Sequence, residues 1–258
     1  MRFDVLTIFP EIFKSPLRAS ILGKAIEAGK IDCRLHNIRD WTTDKHHCTD
    51  GAPYGGGGGM LMLAEPLLRA IGDVRARAET ALGNRPPLIH LSPQGEPLGS
   101  PLIERLSGFP GMLLLCGSYE GIDERVVELE VDHEVSIGDY VLTGGELPAL
   151  VLINAVARRI EGVLGNPNSA PNDSFENGLL DFPHYTRPEQ VDGLAVPPIL
   201  LSGHHANIEQ WRRRQSLERT ARRRPDMLAR APLTDEDRRW LAEQDLWPPP
   251  GPEGKRSC

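Results

Sequence analysis

Residues 2–9 carry β-formers (Phe3, Val5, Thr7, Phe9) at a spacing near two, which predicts a strand. Ile12, Leu17, Ile21, Leu22 and Ile26 follow at roughly helical spacing, and Gly29 is a suitable helix stop. A second strand is expected over 31–38, then a polar and glycine-dense loop over 40–60, then a helix over 65–82. The short apolar runs 88–91 and 112–116 read as buried strands, and 134–137 as another short strand. Two end in turn chemistry, Ser92-Pro93-Gln94-Gly95 and Gly117-Ser118-Tyr119-Glu120-Gly121, and the third runs into a Gly-rich loop. A strong helical pattern covers 146–159. Strands alternating with helices argue for an α/β domain around a largely parallel sheet. Ligands of such sheets sit beyond the carboxyl ends of the strands. Three unusual loops after three apolar strands are therefore the first functional clue.

From 165 to 188 the pattern dissolves into Asn, Pro, Ser and Gly, as in an interdomain linker. Helical patterns return at 206–224 and 234–245, the latter opening with Thr234-x-x-Asp237, a capping box with Asp in place of Glu. The expected organisation is thus a domain over 1–164, a linker over 165–188, a helical domain over 189–246 and a disordered tail over 247–258.

Composition adds exclusions. The 258 residues are 40% hydrophobic and 25% charged, ordinary values for a soluble globular chain. No run approaches the roughly 18 apolar residues of a membrane span. The opening Met-Arg-Phe-Asp has no signal-peptide character, so a cytoplasmic protein is expected. Cys33, Cys48, Cys116 and Cys258 form no CxxC pair and read as free thiols. A net charge of −7 gives no whole-chain support to a nucleic-acid partner. The distribution differs: 211–230 holds Arg212, Arg213, Arg214, Arg219, Arg222, Arg223, Arg224 and Arg230 against only Glu218 and Asp226. Such a stretch is either a solvated helix face or a set of phosphate contacts.

Gly55 to Gly59 are five consecutive glycines. A P-loop would continue with Gly-Lys-Ser/Thr, but Met60-Leu61-Met62 follows. A dinucleotide fold needs a preceding strand, and Asp50 to Tyr54 is not one. What remains is a flexible surface loop, or a loop whose backbone a bulky polar ligand approaches closely. The pairs His46-His47 and His204-His205 read as solvated or hydrogen-bonding histidines, and no Ser has the glycine flanks of a nucleophile elbow.

The string Ser136-Ile137-Gly138-Asp139-Tyr140-Val141-Leu142-Thr143-Gly144-Gly145-Glu146-Leu147-Pro148-Ala149 is long and unusual. With Leu91-Ser92-Pro93-Gln94-Gly95 and Tyr119-Glu120-Gly121-Ile122-Asp123-Glu124-Arg125, it closely resembles the bacterial tRNA (guanine-N1)-methyltransferase family. The likeness extends to Pro53-Tyr54-Gly55-Gly56-Gly57, Asp173-Ser174-Phe175, Pro183-His184-Tyr185-Thr186-Arg187-Pro188, Ser202-Gly203-His204-His205 and the segment 211–225, so it spans about residues 1–245. It implies a SPOUT-class fold: an α/β domain with a parallel sheet and a deep trefoil knot, then a small all-helical C-terminal domain. It also implies methylation of N1 of the guanosine at tRNA position 37, and a homodimer with active sites at the subunit interface.

The methyl donor so implied is S-adenosylmethionine, whose adenine needs backbone donors and acceptors in a tight apolar slot. The matching positions are Leu91, Ser92, Pro93, Gln94, Gly117, Tyr119, Glu120, Ser136, Ile137, Gly138, Tyr140, Val141, Leu142, Gly144, Gly145 and Pro148. Guanine N1 carries a proton near neutrality, so a base must remove it as the methyl arrives, while O6 gains negative charge. A carboxylate suits the first role and a guanidinium the second. Asp173 matches the family's general base and Arg158 its charge partner. For RNA, the resemblance and the charge pattern together point to Tyr54, Gly57, Gly59, Ser118, His184, Arg187, Arg212, Arg213, Arg214, Arg222 and Arg223. Ser118 stands where many relatives have Arg, and the glycine run lacks a Pro often found before its last glycine. A Mg2+ requirement is not legible in the residues. The rivals are a nucleotide-binding protein using the glycine run, which lacks the Lys and carboxylates it would need there, and a silent RNA-binding protein of the same fold, which intact Asp173 and Arg158 speak against.

Overall fold

The N-terminal run becomes β1 (Arg2–Thr7), buried at every residue because parallel strands flank it on both sides. In the computed structural model the described residues are 1–165 and 173–249, in two units, Met1–Pro167 and Asn168–Cys258. The single helix expected over 12–26 is broken into α1 (Glu11–Lys14), a 3-10 turn (Pro16–Arg18) and α2 (Ser20–Glu27). Pro16 has no N–H to continue the ladder. β2 (Asp32–Asn37), the short pair β3 (Asp50–Gly51) and β4 (Leu61–Met62), and α3 (Ala64–Leu82) follow. Then come β5 (Leu88–Pro97), α4 (Ser100–Ser107), β6 (Gly111–Cys116), α5 (Glu124–Glu130), β7 (His133–Ser136) and α6 (Glu146–Ala157). Neither α4 nor α5 is prominent in the sequence, since helices of 8 and 7 residues offer barely two turns of periodicity.

The main sheet runs β2-β1-β6-β5-β7, all parallel. Successive strand residues face opposite sides. Phe3, Val5, Met112, Leu114 and Ile89 meet Phe13, Leu22, Leu102 and the α6 residues Ala149, Leu152 and Ile153 on one face. Leu6, Leu88, Leu113 and Leu115 meet the α3 residues Leu67, Ile71 and Val74 and Val126 of α5 on the other. This is an α/β sandwich of helices on both sides of a parallel sheet.

The second unit holds β8 (Gln190–Val191) and β9 (Leu194–Ala195), a small antiparallel pair, then α7 (Pro198–Leu201), α8 (His205–Arg223), α9 (Pro225–Leu228) and α10 (Asp235–Glu243). It is therefore not all-helical. The expected linker 165–188 is also corrected: from Asp173 onward the chain packs into this unit. Leu179 is 1% exposed and joins Leu217, Leu228 and Leu241 in its core. Residues 166–172, inside the expected linker, lie outside the described set, as do 250–258 of the expected tail. Of that tail, Trp247 packs against the same core.

The Thr234–Asp237 capping box forms, with Asp237 N–H donating to Thr234 Oγ1 at 3.1 Å and Thr234 N–H to Asp237 Oδ2 at 2.9 Å. Arg213 of α8 adds bonds of 3.2 and 2.8 Å to the same carboxylate. Burial pulls the Asp237 carboxyl upward, but these hydrogen bonds outweigh it and hold it below its ordinary value. A depressed carboxyl contributes stability that is full above the unfolded value near 4 and is lost as pH falls through the folded value. Denaturant titrations read by Trp211, Trp240 and Trp247 should show the second unit weakening as pH drops from 6 to 3. Asp237→Asn should cost about 1–3 kcal/mol at pH 7 and flatten that dependence. An unchanged pH slope in the variant would contradict the assignment.

Candidate active site

β6, β5 and β7 are neighbours in the sheet, so the loops at their carboxyl ends converge. They enclose a cavity of about 510 Å³. Ser92 to Gly95 does not end β5: the register to β7 shifts between Leu91 and Glu96, and the strand resumes to Pro97. The turn residues form an irregular bulge that turns Ser92, Pro93 and Gln94 into the cavity.

Residues 138–145 lie across the end of β6. Ser118 bridges Gly144, and Gly145 N–H donates to the Gly117 carbonyl at 2.8 Å. A Cβ at Gly145 would sit 2.7 Å from Cys116 Cα and 3.0 Å from Gly117 N, backbone atoms that cannot swing aside. Glu146, 4% exposed at the start of α6, accepts from the Thr7 hydroxyl at 2.7 Å, which ties the loop's exit to β1. At the loop's entrance Ser136 Oγ lies 3.2 Å from both Gly138 N and Gly138 O, and the Tyr140 hydroxyl donates to the Ile137 carbonyl.

Every residue expected to hold the donor lines this one cavity: Leu91 to Gln94, Gly117, Tyr119, Glu120, Ser136 to Gly138, Tyr140 to Leu142, Gly144, Gly145 and Pro148. Ser118, expected on the RNA side, lines it too. Its hydroxyl is buried with no hydrogen-bond partner among the described residues. Sequence reasoning did not anticipate His90, Ile122, Glu124, Val127, Glu134 and Thr143 in the lining. For Glu134 a signal existed, since it shares a strand face with Ser136. Burial pushes His90 below the usual imidazole range, so at neutral pH it is uncharged. Cys116 is fully buried, and burial raises its thiol well above the ordinary value, which leaves it inert. A slot with backbone groups, an orphan hydroxyl, apolar walls and carboxylates for a cationic centre fits S-adenosylmethionine.

The glycine run is the connection of the β3–β4 hairpin. Gly55, Gly56, Gly57 and Gly59 have φ of +84°, +76°, +129° and +81°, conformations that side-chain-bearing residues rarely adopt. The hairpin is tied to the cavity's wall: Glu120 N–H donates to the Met60 carbonyl and Met62 N–H to the Gly121 carbonyl, both at 3.0 Å. Gly59 thus lies against the Glu120 side chain, while Tyr54 is completely exposed.

Arg158 caps the C-terminal end of α6 and lines a separate cavity of about 310 Å³ with Ser20, Ile21, Leu150 and Asn154. Asp173 belongs to the second unit, in a cleft of about 100 Å³ with Asn177, Asp181, Phe182, Glu209, Arg212, Arg213 and Ser216. The α8 arginines are not one solvated face. Arg212 pairs with Glu209 at 2.6 Å and lies 4.9 Å over the Phe182 ring. Arg213 is committed to Asp237, Arg214 lies over Trp240, and Arg222 reaches Glu218. Arg223 and Arg187 are exposed, and His184 pairs with Asp181 at 2.7 Å. Among the described residues no cluster of His, Cys, Asp and Glu could hold a metal ion, and no helix is long and apolar enough to cross a membrane.

A family model described as tRNA (guanine-1)-methyltransferase TrmD matches residues 1–230. A tRNA (guanine-N(1)-)-methyltransferase of Moorella thermoacetica is 54% identical over 243 residues, covering 94% of this chain and 96% of that relative. The like-named proteins of Pasteurella multocida and Geobacter metallireducens are 53% and 49% identical, each over 94% of this chain and 98% and 97% of theirs. With a family match across all of unit one and most of unit two, and the parallel sheet and its loops in place, the chain belongs to the tRNA (guanine-1)-methyltransferase family.

Proposed function

We propose that this protein methylates N1 of the guanosine at position 37 of tRNA, beside the anticodon, with S-adenosylmethionine as donor. The observation that carries the reading is the cavity at the ends of β6, β5 and β7, lined by every loop that the family resemblance assigns to the donor. S-adenosylmethionine, when bound there, supplies an electrophilic methyl group. Backbone groups of the 136–145 loop hold its adenine, while Leu142 and Pro148 wall the ring. Asp173 takes the proton from guanine N1, and Arg158 balances the charge that grows at O6. Tyr54, Gly57 and Gly59 offer an open backbone to the splayed anticodon loop. Ser118, His184, Arg187, Arg212, Arg213, Arg214, Arg222 and Arg223 complete the RNA contacts. The protein acts in the cytoplasm, as a homodimer. Phe9, Ile12, Ile21, Leu147 and Val151 support the dimer, since each is exposed by more than a third in the single chain.

The deciding experiment is transfer of a labelled methyl group to tRNA transcripts with and without guanosine at position 37. Only the former should be labelled; equal labelling of both would overturn the reading. The donor pocket is built within one unit, so calorimetry should detect S-adenosylmethionine or its demethylated product binding without RNA. Undetectable heat at millimolar ligand would remove these loops from donor binding.

Among the α8 arginines, Arg222 and Arg223 are the ones to test for phosphate contact, because replacing Arg213 would also strip a partner from the buried Asp237. Replacing both Arg222 and Arg223 by Ala should weaken tRNA binding and flatten its dependence on salt by about 1–2 in the log–log slope. Donor affinity should stay at the parent value. A slope equal to the parent's would make these residues a solvated face.

A further inference from the structure

Helix α8 buries Ile208, Leu217 and Ala221, yet places two polar residues, Ser216 and Thr220, among the buried positions. Thr220 is fully buried. Its hydroxyl donates to the Ser216 carbonyl at 2.6 Å, one turn earlier in the helix. That bond alone would not justify a hydroxyl here, because an apolar residue of the same shape needs no partner and packs as well. The same oxygen also accepts the Leu180 backbone N–H at 2.9 Å. Leu180 belongs to the turn that begins at Asp173.

The turn is built to transmit that anchor. Phe175 N–H donates to the Leu179 carbonyl at 2.8 Å, and Asp181 N–H to Ser174 Oγ at 3.0 Å, closing residues 174–181 on themselves. Phe175 sits at φ +81°, a strained conformation for a non-glycine residue that persists only where its surroundings over-determine it. Leu179 drops into the core of the unit, and Arg219 of α8 donates to the Asp181 carbonyl at 3.1 Å. Asp173 stands at the base of this closed turn, in the cleft it forms with α8.

We propose that Thr220 is a positioning residue for proton removal from the target base. By holding Leu180, with Arg219 holding Asp181, it fixes the turn from which Asp173 acts. The inference rests on the reading of Asp173 as the base. Misplacing a base by a fraction of an ångström lowers the rate without changing how tightly either substrate binds. Thr220→Val keeps the shape and removes the hydroxyl. It should slow single-turnover methyl transfer at saturating tRNA on the order of 10-fold or more, with the tRNA KM and donor affinity at parent values. Thr220→Ser restores the hydroxyl and should restore the rate to within about twofold. In an Asp173→Asn background, Thr220→Val should cost no further rate, because there is no base left to misplace. Arg219→Leu, at a partly exposed site, should give the same kcat-only loss and serves if Thr220→Val does not fold. An equal loss in both Asp173 backgrounds, or a parent rate for Thr220→Val with Asp173→Asn inactive, overturns Thr220 as a positioning residue. A parent rate for Asp173→Asn overturns the reading beneath it.

Discussion

Asp173→Asn is expected to lower single-turnover methyl transfer by roughly 10²-fold or more, the usual scale for losing a general base. Asparagine keeps the size and the hydrogen-bonding oxygen but cannot accept a proton at neutral pH. Folding should survive, because the Phe175–Leu179 and Asp181–Ser174 hydrogen bonds that close the turn are untouched by the change. Donor binding should survive too, since the cavity proposed for the donor is lined by residues between His90 and Pro148. Tyr140, His90 and His184 are the other candidates for the base. His90 is buried in the donor cavity and His184 is paired to Asp181. If either served, the Asp173 variant would stay within about threefold of the parent rate, and that result would take Asp173 out of the mechanism. Loss of donor binding in the variant would contradict a donor site built from residues 90–148 alone.

The cavity at the ends of β6, β5 and β7 was legible because its parts are local. Each loop follows an apolar strand, and the rule that parallel sheets bind ligands at their carboxyl ends needs only the order of elements. Convergence of the loops depends on β6, β5 and β7 being adjacent, which chain order alone does not dictate. Long helices such as α3 and α8, and the capping box at Thr234, declared themselves through periodicity and spacing. The region around Asp173 was read least well. Asn, Pro, Ser and Gly suggest a linker, and one buried leucine, Leu179, is too small a signal against that composition. Its docking depends on long-range partners, Thr220 and Arg219, some 40 residues onward. The pairing of the arginine triplets was not legible either, because a run of charges does not name its opposing acids. Asp237 and Glu209 neutralise two of the arginines, and aromatic rings receive two guanidinium groups, those of Arg212 and Arg214.

Gly145→Ala should weaken S-adenosylmethionine binding by about 10- to 100-fold. The backbone at Gly145 has φ −81°, so alanine meets no conformational penalty there. The obstacle is space. Its Cβ would stand 2.7 Å from Cys116 Cα, at the end of an interior strand whose ladder bonds hold it on both sides. β6 cannot retreat, so the 138–145 loop must lift, breaking the Gly145–Gly117 hydrogen bond and the Ser118–Gly144 bridge. Overpacking of this kind costs about 1–3 kcal/mol, and each 1.4 kcal/mol is tenfold in affinity. The same lift moves Tyr140, Val141 and Leu142, which form the cavity's exposed apolar rim. Gly72→Ala is the matched control: it lies in α3 with nothing within 4 Å of an added Cβ, and should leave binding unchanged. Calorimetry on the two variants separates a local effect from a general one. Should Gly145→Ala bind the donor as the parent does while remaining folded, the loop laid across β6 is not the donor's seat, and the adenine slot must be sought among residues 90–94 and 117–124 alone.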